Sequence, residues 1–199
     1  MAQATINAKS TSNAVRSGIE GTWEDARTAA TNPKGLTTFV TQAVGPSSFQ
    51  CGRYFGLFDL TSIPSGSRVS SVDFIHPVVS NFLNPEGASV SVVDHTASDP
   101  VVVGDFSSIT LNSDTTYGSV AMSSLSTTQT TAISLDSNGI SIIQTAVNSR
   151  SLAKLGLRSS LDINNTSPAG ITEYTSAVQD FQLRVNYIPP GGGAFIALM

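Results

Sequence analysis

The sequence predicts an all-β protein, a jelly-roll-like antiparallel β-sandwich with one short helix. Three observations carry that expectation. Short β-branched and aromatic runs recur along all 199 residues. Gly, Pro and Asn turn signals separate them at intervals of about 8–12 residues, the spacing of sandwich and barrel domains. Only one segment repeats its apolar residues with helical period.

The strands are expected in this order. "GLTTFVTQAV" (35–44) is β-branched and bounded by Pro33-Lys34-Gly35 and Gly45-Pro46. In "FQCGRYFGLFDL" (49–60), Tyr54, Gly56, Phe58 and Leu60 alternate with Arg53, Phe55, Leu57 and Asp59. Both sets are largely apolar, as in a central strand covered on both faces, with Arg53 and Asp59 at its ends. "TSIPSGS" (61–67) turns the chain, because Pro64 fixes φ and Gly66 accepts a left-handed conformation. "RVSSVDFIHPVV" (68–79) resumes the strand, and Pro77, which has no N–H to donate, bends or ends it.

Further strands read as 88–96, 119–125, 131–136, 154–163, 172–177 and 180–188. In the last, Phe181, Leu183, Val185 and Tyr187 face in while Gln182, Arg184 and Asn186 face out. Within 135–150, Ile140, Ile143 and Val147 recur at spacings of three and four, with Ser137 or Asn138 as N-cap. This predicts a short helix over one end of the sandwich. Residues 13–28 read equally as a helical turn at Trp23 or as a strand. The organisation is therefore an N-terminal arm or first strand over 1–20, a sandwich over 21–188, and a Pro/Gly hinge with an apolar tail over 189–199.

Composition narrows the function classes. Charged residues make up 12% of the chain and the net charge is −4, with 10 basic residues scattered singly. Without a Lys/Arg cluster, neither a phosphate backbone nor an anionic membrane surface has its usual electrostatic partner, so no nucleic acid and no membrane is expected. Cys51 is the single cysteine and reads as a buried small hydrophobe. "MAQATINAKSTSNAV" lacks a charged region followed by an apolar core, so the expectation is synthesis in a cytoplasm without an N-terminal export signal.

No convergent catalytic set is legible. His76 and His95 are the only histidines and lack metal-ligand spacing, and no GxSxG elbow accompanies the many serines. The protein is therefore expected not to be an enzyme and to need no cofactor. Calcium is the one ion considered, with Asp162 and Asn164 in "SSLDINNTSPAG" as candidate oxygen ligands; Asx-turns explain the same residues. Trp23, Tyr117 and Tyr174 are the candidates for a carbohydrate-binding aromatic platform.

The tail "IPPGGGAFIALM" is the strongest signal outside the core. Phe195, Ile196, Leu198 and Met199 follow a Pro-Pro stop and three glycines, and are expected to dock on a partner. Their burial would contribute about 6–12 kcal/mol. Ordering the segment costs a similar amount, at about 1–2 kcal/mol per residue. Docking is therefore expected to involve backbone hydrogen bonds as well, as when a strand joins a sheet edge.

"RYFGLFDLTSIPSGSRVSSVDF" (53–74) resembles the signature of DNRLRE-type β-sandwich domains, in which an Arg-x-x-Leu-x-Phe-Asp segment leads through Ser-Ile-Pro into a second strand. "SNGISIIQTAV" (137–147), "AKLGLRSSLDI" (153–163), "EYTSA" (173–177) and "FQLRVNY" (181–187) are similar to the closing half of such domains, and Trp23-Glu-Asp-Ala-Arg27 to a segment near their start. Relatives of this kind occur as carbohydrate-binding modules and as virion proteins of tailed phages. The resemblance, with the apolar tail, implies a non-enzymatic virion structural protein, first a capsid-surface decoration (cement) protein and second a fibre or baseplate adhesin. Its expected partners are other virion proteins, foremost the major capsid protein, and copies of itself as a homo-oligomer, with a trimer as the guess. Its expected location is the virion surface, after synthesis in the host cytoplasm. A carbohydrate-binding module is the alternative.

Overall fold

The computed structural model describes residues 1–28, 34–36, 42–45, 47–83, 87–109, 115–169, 173–175 and 180–191. The chain runs through β1 (Ala2–Asn7), β2 (Asn13–Arg16), α1 (Trp23–Thr28), β3 (Lys34–Leu36), β4 (Gln42–Gly45), β5 (Ser48–Gln50), β6 (Gly52–Asp59), β7 (Arg68–His76), β8 (Ser80–Leu83) and β9 (Ser89–Asp94). It continues through β10 (Gly118–Ala121), β11 (Thr131–Ser134), α2 (Ser137–Ser149), β12 (Leu152–Ser159), α3 (Ser160–Ile163), β13 (Glu173–Thr175) and β14 (Gln182–Ile188).

Two antiparallel sheets face each other, one ordered β1-β14-β7-β11 and the other β10-β9-β12-β6-β2-β3. Their ladders are nested. β1 pairs with β14, β6 with β12, β7 with β11, and β9 with β10. This is what a long hairpin gives when it is wrapped around a barrel axis, and it makes the sandwich a jelly roll. β2 and β3 extend the larger sheet beside β6, while β4-β5 and β8-β13 form two small accessory pairs.

The core follows from the alternation in β6. Tyr54 and Phe58 point into the sandwich. Tyr54 stacks on Phe181 at 4.1 Å, and Phe58 meets Phe74 edge-on at 5.8 Å. Gly56 lies between them, and a Cβ there would come within 2.7 Å of the Phe58 ring and 2.8 Å of the Tyr54 ring. The other face of β6, carrying Arg53, Phe55 and Leu57, is also fully buried. It is covered from outside by the 95–109 segment, since His95 packs edge-on against Phe55 at 5.3 Å and Phe106 lies under Arg53. The expectation of a strand covered on both faces is met.

The turn after β6 also forms as expected: Gly66 has φ +80, and Ser67 N–H donates to the Pro64 carbonyl at 3.1 Å. β7 ends at His76, just before Pro77. On the outer face of the smaller sheet, Arg184 and Ser134 both donate to Asp73, at 2.9 and 2.7 Å.

Several boundaries differ from those expected. The single strand placed at 35–44 is represented by β3 and β4, and the residues between them lie outside the described set. The helix over 135–150 is α2, but its N-cap is Asp136, whose carboxylate accepts Gly139 N–H at 2.8 Å. Ser137 and Asn138 are already helical. Among the described residues two more short α-helices form. At α1, Thr22 Oγ1 accepts Asp25 N–H at 3.1 Å and resolves the ambiguity at Trp23 in favour of a helical turn. At α3 the strand expected over 154–163 stops at Ser159, because Ser159 Oγ accepts Asp162 N–H and starts a helical turn. Residues 2–7 are a strand of the smaller sheet, with Ala2 opposite Tyr187 and Asn7 opposite Gln182.

Candidate functional site

The most concentrated chemistry lies where three peripheral segments meet the outer face of β6. Arg53 and Arg158 stand on the neighbouring strands β6 and β12, and both side chains are 0% exposed. A buried guanidinium must be paired and hydrogen-bonded on nearly every N–H. Asp162, also wholly buried, supplies the charge. Arg53 grips it with two parallel bonds, Nε to Oδ2 at 2.8 Å and Nη2 to Oδ1 at 2.9 Å. Its remaining reach goes to the carbonyls of Phe106 and Arg27, both at 2.9 Å, and its guanidinium carbon lies 4.2 Å from the Phe106 ring centroid.

Arg158 adds a bond from Nε to Asp162 Oδ2 at 2.8 Å, one helical turn away in sequence. Arg27 donates Nε to the Asp162 carbonyl at 3.0 Å and Nη1 to Glu24 at 2.9 Å. One carboxylate thus faces three guanidiniums. The set ties α1, the 103–108 turn and α3 to the two central strands of the larger sheet.

The electrostatics follow from this geometry. Burial alone would raise the Asp162 carboxyl, but Arg53 and Arg158 outweigh it and hold the group well below the usual carboxylate range. The Cys51 thiol, buried beside the cluster, is pushed up by desolvation and by the Asp162 charge, so it stays a protonated thiol at neutral pH. A permanently ionised carboxylate enclosed by cations neither gives nor takes a proton near neutrality.

The expected site residues fall differently from the sequence reading. Asp162 is not placed to hold calcium, because its oxygens point at guanidiniums and the surrounding positive charge repels a cation. Asn164 is exposed at the end of α3, where its backbone N–H closes the turn on Ser160. Among the described residues no group of three or more His, Cys, Asp or Glu side chains could hold a metal ion. Trp23 is 6% exposed and packs edge-on against Phe49, and Tyr117 is 6% exposed with Gly139 against it. Neither presents an open ring face as a sugar platform. Tyr174 lies in β13, with its side chain outside the described set, and Phe195, Ile196, Leu198 and Met199 lie outside the described residues altogether.

Both histidines are built into the structure. His76 Nδ1 is 2.8 Å from the Pro77 carbonyl and its ring meets Phe181 edge-on. His95 bridges Gly56 and Ala97.

Sequence reasoning missed the arginine cluster. The available signal was a lone cation inside each of two otherwise apolar strands, Arg53 in "RYFGLF" and Arg158 in "LGLR", with an aspartate four residues after the second. Arg27, Arg53 and Arg158 all converge on Asp162.

The fold and the site together define a jelly-roll β-sandwich whose main charged centre is an internal clamp. No protein-family model and no curated protein matches the chain.

Proposed function

We propose that this chain is a non-enzymatic structural protein of a tailed-phage virion, a β-block that decorates the capsid surface and engages neighbouring subunits. The observation that carries the reading is the division of labour between interior and tail. The most concentrated charged cluster among the described residues, Arg27, Arg53 and Arg158 on Asp162, is turned inward and rigidifies the block, while the apolar "AFIALM" run follows the last strand after a Pro-Pro stop and three glycines. A rigid body with an adhesive extension suits a role of reinforcing contacts between other subunits. The resemblance of 53–74 and 137–187 to DNRLRE-type domains supports the same reading, as does the near absence of concentrated surface charge. The natural partners are the major capsid protein and further copies of this chain, with a trimer the simplest arrangement on a local threefold axis.

The test is particle occupancy. Phage particles assembled with the full chain are expected to retain it through purification at close to full complement. Particles assembled with a version ending at Tyr187 are expected to lose most of it while the truncated protein still folds. Equal occupancy by both versions overturns tail-mediated docking. Reproducible binding on a glycan array, abolished by replacing one aromatic residue, would favour the carbohydrate-binding module instead.

A further inference from the structure

The two large sheets end at β10, β3, β11 and β1. β10 and β11 close on one another: Asp136 N–H, just after β11, donates to the Tyr117 carbonyl at 2.7 Å, and a Cβ on Gly118 would come within 2.5 Å of the Ser134 carbonyl. β3 is short and carries Lys34, two of the devices that protect a sheet edge. β1 is the exception. It pairs with β14 from Ala2 to Asn7 without a bulge, and its sequence AQATIN holds no charge, proline or glycine.

In an antiparallel pair every second residue turns its backbone N–H and C=O away from the neighbouring strand. Among the described residues no group receives those outward bonds over Ala2–Ile6. The chain is tied across to the larger sheet only beyond them, where Ala8 bridges Phe58 and Lys9 N–H donates to the Leu57 carbonyl at 2.8 Å. The inner side of β1 is also thinly filled. Ala2 and Ala4 are half-buried, whereas Leu183 and Val185 on β14 are wholly buried, and Met1 is 89% exposed. A strand laid along β1 would take up the free backbone groups and cover Ala4 and Ile6 at the rim of the core.

The occupant follows from where the chain goes next. Tyr187 lies opposite Ala2, so the chain leaves β14 at the Met1 end of β1. Residues 194–199, AFIALM, match β1 in length, carry no charge and are apolar at every position, so either set of alternate side chains fits the Ala4–Ile6 rim. The run does not set out towards its own β1. Pro190 lies 3.8 Å from the place of a Cβ on Gly66, in the turn that leads into β7, and β7 and β1 flank β14 on opposite sides. Bent back onto its own β1, the run would also lie parallel to that strand, which is the weaker ladder. On a second copy the antiparallel pairing is open to it.

We propose that the outer edge of β1 is the acceptor site for residues 194–199 of a second copy of this chain, which add a strand to the smaller sheet. Exchanged tails then link the copies as a reciprocal pair or a closed ring. The proposal rests on the tail-docking reading above and names the surface that the tail uses.

Light scattering on the size-fractionated full chain, in solution and without particles, tests this. The full chain is expected to be an oligomer at micromolar concentration. A version ending at Tyr187, and the full chain carrying Ile196→Asp with Leu198→Asp, are expected to be folded monomers by circular dichroism. Hydrogen exchange locates the contact: alternate amides of Ala2–Ile6 are expected to lose protection about tenfold or more in the truncated version, while the β12 ladder amides keep theirs. Thr5→Cys chains mixed with differently tagged Ala197→Cys chains and treated with a short bismaleimide are expected to give cross-linked pairs of unlike chains, since Cys51 is wholly buried and stays unreactive. A monomeric full chain, an oligomer that survives truncation, β1 amides indifferent to the tail, or the absence of unlike cross-linked pairs each overturns the exchange. Docking of the tail on a capsid is read separately, from particle occupancy, so either reading fails without the other.

Discussion

Arg53 and Arg158 are the two largest wholly buried side chains among the described residues, and Asp162 is what makes them tolerable there. Replacing Asp162 with Asn removes the counter-charge and leaves cations in a dry site. The expected cost is about 3–5 kcal/mol, read as a fall in the urea midpoint without a change in slope. Arg53→Lys is expected to cost a large part of that, because an ammonium cannot reach Asp162, Phe106 and Arg27 together. The pH dependence has two windows. His76, like His95, is held at about 4, chiefly by burial, so its neutral form stabilises the fold fully above 6.5 and that contribution drains away as pH falls towards 4. The full effect is about 3 kcal/mol. Asp162, whose folded value is depressed, keeps its contribution above 3.8 and loses it only at lower pH. Urea midpoints followed from pH 7 to 3 should therefore decline first through the histidine window, and the decline should be shallower in His76→Gln.

Among the elements, α2 shows how a surface helix is held in place. Its buried stripe is Ile143, Ala146 and Val147, and Gln144 adds a specific tether, accepting Val69 N–H at 2.8 Å and donating to the Ser67 carbonyl at 2.9 Å. Asp136→Ala, which removes the N-cap, is expected to cost about 1 kcal/mol, and circular dichroism with thermal melting measures it. This helix was legible because its apolar residues repeat at helical spacing. Its cap was not, since Asp136, Ser137 and Asn138 are all good N-caps and only the strand geometry of β11 selects among them. β6 was legible from its two apolar faces, and the Pro64–Gly66 turn from its residue chemistry. α3 was hidden inside "LGLRSSLDI", where strand propensity continues across a helical start made by the single Ser159 side chain. The clamp was hidden for a related reason. Arg53 reads as a strand end unless the covering segment 95–109 is known to lie over it, and that contact joins residues far apart in sequence. Asp162 reads as a loop ligand until its three cationic partners, drawn from α1, β6 and β12, are brought together.

At the scale of the whole molecule, the nested ladders make nearly every sheet contact long-range. β1, near the start of the chain, pairs with β14 at residues 182–188, and folding is expected on the millisecond-to-second scale of β-sandwiches. Stopped-flow refolding measures this. Removing residues 1–7 would leave β14 as an uncovered edge with Ala4 and Ile6 missing from the core. The expected outcome is a broadened urea transition and a protein that associates at micromolar concentration, visible by light scattering. The tail and the proposed virion role belong to this scale as well, because the block presents its extension from the strand that closes the fold.

Pairing Ala2 with Tyr187 also dictates what happens on the ribosome. At about 5–20 residues per second, β1 is made many seconds before β14, its described neighbour in the sheet, leaves the exit tunnel. Until then the first six-residue strand and the apolar runs of β6 and β7 wait without their final cover, at a length of nascent chain that already contains most of the core. Chaperone occupancy during translation should therefore stay high until residue 188 has emerged, and fall in a single late step when the hairpin closes.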